Sequence, residues 1–135
     1  MARWTVRSIA AVPTVADGEP GDPAWHPLQH ALGIDTFGAN VFVADRDGQE
    51  LVAEHDESGS GQQELYVVLR GSAAFELDGE PVQVGELAAL AVTDPTVRRS
   101  AIADVAGTML LIVGAPDGAF KSTWNASHFE GIPRP

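Results

Sequence analysis

The sequence predicts an all-β fold, a double-sheet jelly roll with one short helix near the N-terminus. Two observations point to it. From Phe37 onward, short apolar or alternating runs recur at even spacing, and turns rich in Gly, Pro and Asp separate them. A double-sheet roll also limits the exposed strand edges that so many short strands would otherwise leave.

Each element follows in order. Trp4 to Val12 reads as a first strand. Ala16-Asp-Gly-Glu-Pro-Gly-Asp-Pro23 reads as a loop. Pro27 suits a first helical turn and Gly33 a helix stop, so a helix is expected over Pro27 to Leu32 with Trp25 packing beside it. Strands are expected at Phe37 to Ala44 and Glu50 to Glu54, joined by the turn Asp45 to Gly48. Leu65 to Leu69 follows, stopped by Gly71; Ala73 to Leu77 alternates into the hairpin signal Asp78-Gly79. Pro81 to Val84, Leu87 to Val92, Val97 to Ala103 and Thr108 to Val113 complete the series.

Composition narrows the function. The 135 residues are 44% hydrophobic and 20% charged, which suits one domain over 1–135 with its core at about 37–113. There is no cysteine, so disulfides, Cys-zinc sites and thiolate nucleophiles are excluded. Eight basic residues against 19 acidic ones leave a net charge of -11, which repels phosphate backbones and anionic lipid, so neither nucleic acid nor membrane is an expected partner. The longest apolar stretches, Leu87 to Val92 and Met109 to Val113, are too short to span a bilayer. Ile9 to Ala16 follows Arg3 and Arg7 as a signal core would, but it is weakly apolar and broken by Pro13; a cytoplasmic protein is expected.

The most informative stretch is Glu54-His-Asp-Glu-Ser-Gly-Ser-Gly-Gln-Gln-Glu-Leu-Tyr-Val-Val-Leu-Arg-Gly71. It resembles the first motif of the cupin superfamily, in which two His one residue apart and then a Glu face into the barrel, with a Gly seven residues after the Glu. Glu64 and Gly71 match, and Phe75-Glu-Leu-Asp-Gly79 matches the next hairpin. The resemblance runs from about Phe37 to Val113 and is nearest to small bacterial cupin-domain proteins of unassigned function. It implies a double-stranded β-helix, the cupin jelly-roll barrel, and a homodimer.

The metal-binding half of that pattern is altered. Its His-x-His is best met by His55-Asp56-Glu57, which keeps one His and requires a long loop at Ser58 to Gln63; with a loop of usual length, Glu57 and Gly59 fall on those positions. Its second motif, which supplies a third His, corresponds to Thr93-Asp-Pro-Thr-Val-Arg98-Arg99 and contains none. Counting from Glu64 without gaps puts Arg98 on the His position, and aligning by the turn puts Arg99 there; strand alternation lets only one point inward, and Arg98 is preferred. An arginine is always protonated and only donates hydrogen bonds, so it repels a cation and pairs with inward carboxylates such as Glu57 and Glu64. The expectation is that an arginine charge stands in place of the metal, with no cofactor. The alternative ligand set is His55, Glu57 and Glu64, a facial triad that needs both arginines turned out.

Other residues divide between pocket and packing. Asn40, inside an apolar run, faces a cavity or is a satisfied core amide. Tyr66, Phe37, Phe42 and Phe75 read as core, some of them lining an apolar pocket. His26 and His30 read as surface residues, and His128 as an exposed tail residue. Trp124 and Phe129 are expected to pack across the barrel or onto a second subunit.

The expected function is binding of a small polar molecule, without a metal, in a pocket lined by Glu57, Glu64, Arg98 or Arg99, Asn40 and Tyr66, with His55 beside them. The alternative is an enzyme: a metal-dependent oxygenase or isomerase using His55, Glu57 and Glu64, or a metal-free catalyst with His55 and Glu64 as acid and base. A regulatory or scaffold module is a third possibility, since fold does not choose function.

Overall fold

A computed structural model describes residues 3–15 and 18–135. Among these described residues, nine strands form two antiparallel sheets. β1 (Ala24–His26), β2 (Gly38–Val43), β9 (Met109–Pro116), β4 (Gln62–Arg70) and β7 (Ala89–Val92) lie side by side in the larger sheet. β3 (Glu50–His55), β8 (Arg99–Ala103), β5 (Ala73–Leu77) and β6 (Glu80–Val84) make the smaller one. The sheets stack as a jelly roll, as the even spacing of short strands predicts.

Period-two alternation decides which side chains meet between the sheets. On β4, Glu64, Tyr66 and Val68 point one way while Leu65 is exposed. On β8, Arg99, Ala101 and Ala103 are buried and Ile102 is exposed. The core joins Tyr66, Val68 and Leu110 of the larger sheet to Phe75, Ala101 and Ala103 of the smaller one. Tyr66 meets Phe75 edge-on at 5.2 Å between ring centres. Each fully buried large side chain contributes about 1.5–3 kcal/mol through removal from water.

Turn chemistry follows the residues. Asp78 and Gly79 both have positive φ, 51° and 81°, as a two-residue type I′ hairpin requires. The helix α1 (Leu28–Leu32) has Pro27 at its N-cap and ends at Gly33 in the left-handed conformation, and it packs on β2. Gln29 of α1 accepts the backbone N–H of Ala39 at 2.8 Å.

Several expectations are corrected. Trp4 to Val12 is not a strand; a 3-10 turn occupies Ile9–Ala11, and Trp4 and Val6 are exposed because no neighbouring strand accepts them. Ala16 and Asp17 of the expected first loop lie outside the described residues. His26 is not on the surface: it ends β1, is buried, and donates from Nδ1 to the Val12 carbonyl at 2.8 Å, tying the N-terminal segment to the sheet. Phe37 precedes β2 and is exposed rather than core. Leu87 belongs to the turn before β7, at φ 60°, and is exposed. Trp124 and Phe129 are exposed and pack on each other, 6.0 Å between ring centres, not across the barrel. No helix among the described residues is long and apolar enough to cross a membrane.

Candidate functional site

The site grows out of strand register. Asn40 of β2 pairs with Ile112 of β9, which pairs with Tyr66 of β4, so the three share one face of the larger sheet. Phe42 and Glu64 lie two residues along their strands and join that face. Trp25 of β1 pairs with Phe42 and stacks on it, ring centres 5.9 Å apart. From the other sheet β3 supplies Glu50, Leu51, Val52 and His55. The register of β3 against β8 shifts between Glu50 and Val52 and again before His55, which is why the consecutive Leu51 and Val52 are both buried. Between these walls lies a cavity of about 450 Å³.

Arg99 opens β8 opposite both His55 and Leu77. Its side chain has 0% exposure, and Nη1 donates to Glu64 Oε1 at 2.8 Å. Nε and Nη2 donate to the Val97 carbonyl at 3.1 and 2.8 Å, and Nη2 reaches the Asp94 carbonyl at 3.4 Å. The turn that presents these carbonyls is shaped by Asp94, which accepts from the backbone N–H and hydroxyl of Thr96 at 2.9 and 2.7 Å. Those bonds, with the charge of Arg99, hold the Asp94 carboxyl below the usual carboxylate range. Tyr66 donates its hydroxyl to the same Glu64 oxygen at 2.6 Å. Burial first, then the bond to Glu64 and its charge, raise the Tyr66 phenol well above its ordinary value. Burial works to lower the pKa of Arg99, but hydrogen bonds with Glu64 and Tyr66 outweigh it and leave it raised, so this buried guanidinium stays a cation.

Arg98 is the correction. The gap-free count from Glu64 favours it as the inward residue, yet its side chain is 53% exposed and pairs with Glu54 at 3.2 Å and Asp56 at 3.9 Å on the outside. Arg99 shares parity with Ala101 and Ala103, whose small side chains face the core, and that parity takes the guanidinium inward.

His55 is held at both ring nitrogens. Nδ1 lies 2.8 Å from the Ala53 carbonyl, which only accepts, so Nδ1 carries a proton. Nε2 lies 3.0 Å from Glu57 Oε1, and a hydrogen bond there needs a second proton, on the imidazole or on the carboxyl. Ser60 donates to Glu57 Oε2 at 2.5 Å, and the Glu57 N–H reaches the Pro95 carbonyl at 2.8 Å, tying the β3–β4 loop to the β7–β8 loop. His55, Glu57 and Glu64 bring one ligand atom each within 4.8 Å of one another, a group that could hold a metal ion.

No family model and no curated protein matches the chain. Solved structures do. A cupin protein from Bacteroides fragilis superposes with a TM-score of 0.67 at 18% identity, over 100% of both chains. An RmlC-like cupin from Shewanella frigidimarina gives 0.64 at 17% identity, over 87% of this chain and 96% of its own. The fold is the cupin fold. A sugar phosphate isomerase of the cupin superfamily from Silicibacter pomeroyi gives 0.67 at 16% identity, over 82% of this chain and 75% of its own.

Within this cupin fold the donor types His, Glu and Glu suit a facial triad. Most of their atoms are engaged, however: Glu64 Oε1 receives Arg99 and Tyr66, Glu57 receives His55 and Ser60, and a guanidinium sits 2.8 Å from the carboxylate an ion would need. Glu64 Oε2 alone is left open, and the guanidinium beside it opposes a second cation, so the set fits a resident metal poorly.

Of the sequence candidates, His55, Glu64, Asn40 and Tyr66 line the cavity, with Glu57 next to His55 and Arg99 behind Glu64. Arg98 lies outside it. The cavity also uses Trp25, Asp22 and Glu50, none of which the sequence marks as a site residue. In the sequence Trp25 reads as packing beside the helix, because β1, three residues long, carries too little alternation to show as a strand.

Proposed function

We propose that this chain binds a small polar molecule between its two sheets without a resident metal, with His55, Glu64, Asn40 and Tyr66 lining the site and Glu57 bracing His55. The observation that carries this is the buried Arg99–Glu64 pair at 2.8 Å, a permanent positive charge next to the carboxylate that a metal would otherwise use. Arg99 acts through Glu64: with no exposed surface it aims the carboxylate and does not itself touch the ligand.

A second reading has its own observation. The convergence of His55, Glu57 and Glu64 within 4.8 Å supports catalysis, either as a metal-dependent oxygenase or isomerase or with His55 and Glu64 as acid and base. Metal analysis of purified protein, followed by binding assays on metal-free and metal-supplemented samples, separates the readings. Binding that survives chelation supports the first; a stoichiometric divalent ion required for binding overturns it.

A further inference from the structure

We infer that the cavity takes a hydroxyl- or amine-bearing ligand that is uncharged or cationic, and rejects carboxylates and phosphates. This deepens the small-molecule reading and rests on it. The described acidic residues lining the cavity are Asp22, Glu50 and Glu64; none of the lining residues is Lys or Arg, and both ring nitrogens of His55 are engaged, by the Ala53 carbonyl and by Glu57. Arg99, the buried cation nearby, spends Nε and Nη2 on backbone carbonyls and Nη1 on Glu64. Arg98 faces outward. No guanidinium or ammonium is therefore placed to receive an anion, whereas Asp22 and Glu50 are exposed carboxylates in the wall. The net charge of -11 adds a long-range repulsion of the same sign.

Two polar groups state what the ligand must offer. Glu64 Oε2 has no partner among the described residues, since both hydrogen bonds to this side chain fall on Oε1, and it calls for an O–H or N–H donor. Asn40 Oδ1 accepts the Trp25 indole N–H at 2.8 Å; the indole only donates, so the orientation of the amide is fixed and its NH₂, without a partner among the described residues, is left to donate. A ligand oxygen can accept from Asn40, and a hydroxyl or amine of the ligand can donate to Glu64. The Trp25–Phe42 stack supplies the apolar wall.

The test is a fragment screen by protein-observed NMR, with equal numbers of amines, neutral polyols and carboxylates or phosphates. The indole N–H of Trp25 reports the cavity, assigned with Trp25→Phe; the other two tryptophans, Trp4 and Trp124, are exposed. Amines and polyols should shift that signal and anions should not. The variant Glu50→Gln should weaken amine binding about two- to fivefold and polyol binding by less, and so tell the two ligand classes apart; equal losses for amines and polyols would count against a charge-based preference. Anions that shift Trp25 as often as the others overturn this inference while leaving the small-molecule reading standing. If no fragment of any charge moves Trp25, both fall.

Discussion

Arg99 and Glu64 stand 35 residues apart in the chain and meet at 2.8 Å between the two sheets, the guanidinium wholly buried and the carboxylate side chain only 10% exposed. A buried pair of this kind gives modest net stability, yet neither member tolerates losing the other.

Arg99→Met should therefore cost about 3–5 kcal/mol, because Glu64 is left as an uncompensated charge. Arg99→Met combined with Glu64→Leu should regain most of that loss. The neighbouring Arg98→Ala, which breaks only an exposed pair, should cost less than about 1 kcal/mol. Urea unfolding of the four proteins checks all three expectations, and equal losses for Arg98 and Arg99 variants would contradict the assigned orientation.

Tyr66 is the only tyrosine, so its phenol can be followed alone by absorbance. In the folded protein it should stay protonated well past its ordinary value of 10.0, because burial and Glu64 oppose a second negative charge. The folded pKa is raised above the unfolded one, so the stability linked to it is complete below about pH 10 and is lost as pH climbs toward the folded value. Tyrosinate should appear together with unfolding. Tyr66→Phe should cost about 0.5–1.5 kcal/mol through the lost bond to Glu64.

Replacing the guanidinium by a ligand should convert the site. Arg99→His puts a neutral imidazole beside His55, Glu57 and Glu64, removing the repulsion and adding a fourth donor. Titration with Co²⁺ should give visible absorption bands in the variant that the native protein lacks. Equal bands in both proteins would mean that Arg99 does not oppose a cation.

Gly71 has φ 80° and a Cβ there would come within 2.9 Å of the Thr108 Cα as well as meeting its hydroxyl. Both the left-handed backbone and the close approach exclude a side chain, so Gly71→Ala should destabilise by about 1–3 kcal/mol. Thermal unfolding checks this, and an unchanged midpoint would show that the β4–β5 turn relaxes freely.

What the sequence determined by itself was whatever short-range pattern carries: the strand alternation of Ala73–Leu77, the hairpin at Asp78-Gly79, the helix stop at Gly33, and the Glu64-to-Gly71 spacing that pointed to a cupin jelly roll. It also showed that no His occupies the Thr93 to Arg99 region. Only the tertiary structure decided which arginine turned inward. The two neighbours differ by a single step of a period-two strand, and Ile102, an apolar residue on the outward face, blurs the parity that Ala101 and Ala103 set. The strand β1, the burial of His26 and the entry of Trp25 into the cavity wall were likewise settled by long-range pairing with β2 and Val12. A three-residue segment has too few alternations to announce its partner, so its place is set by the sheet it joins.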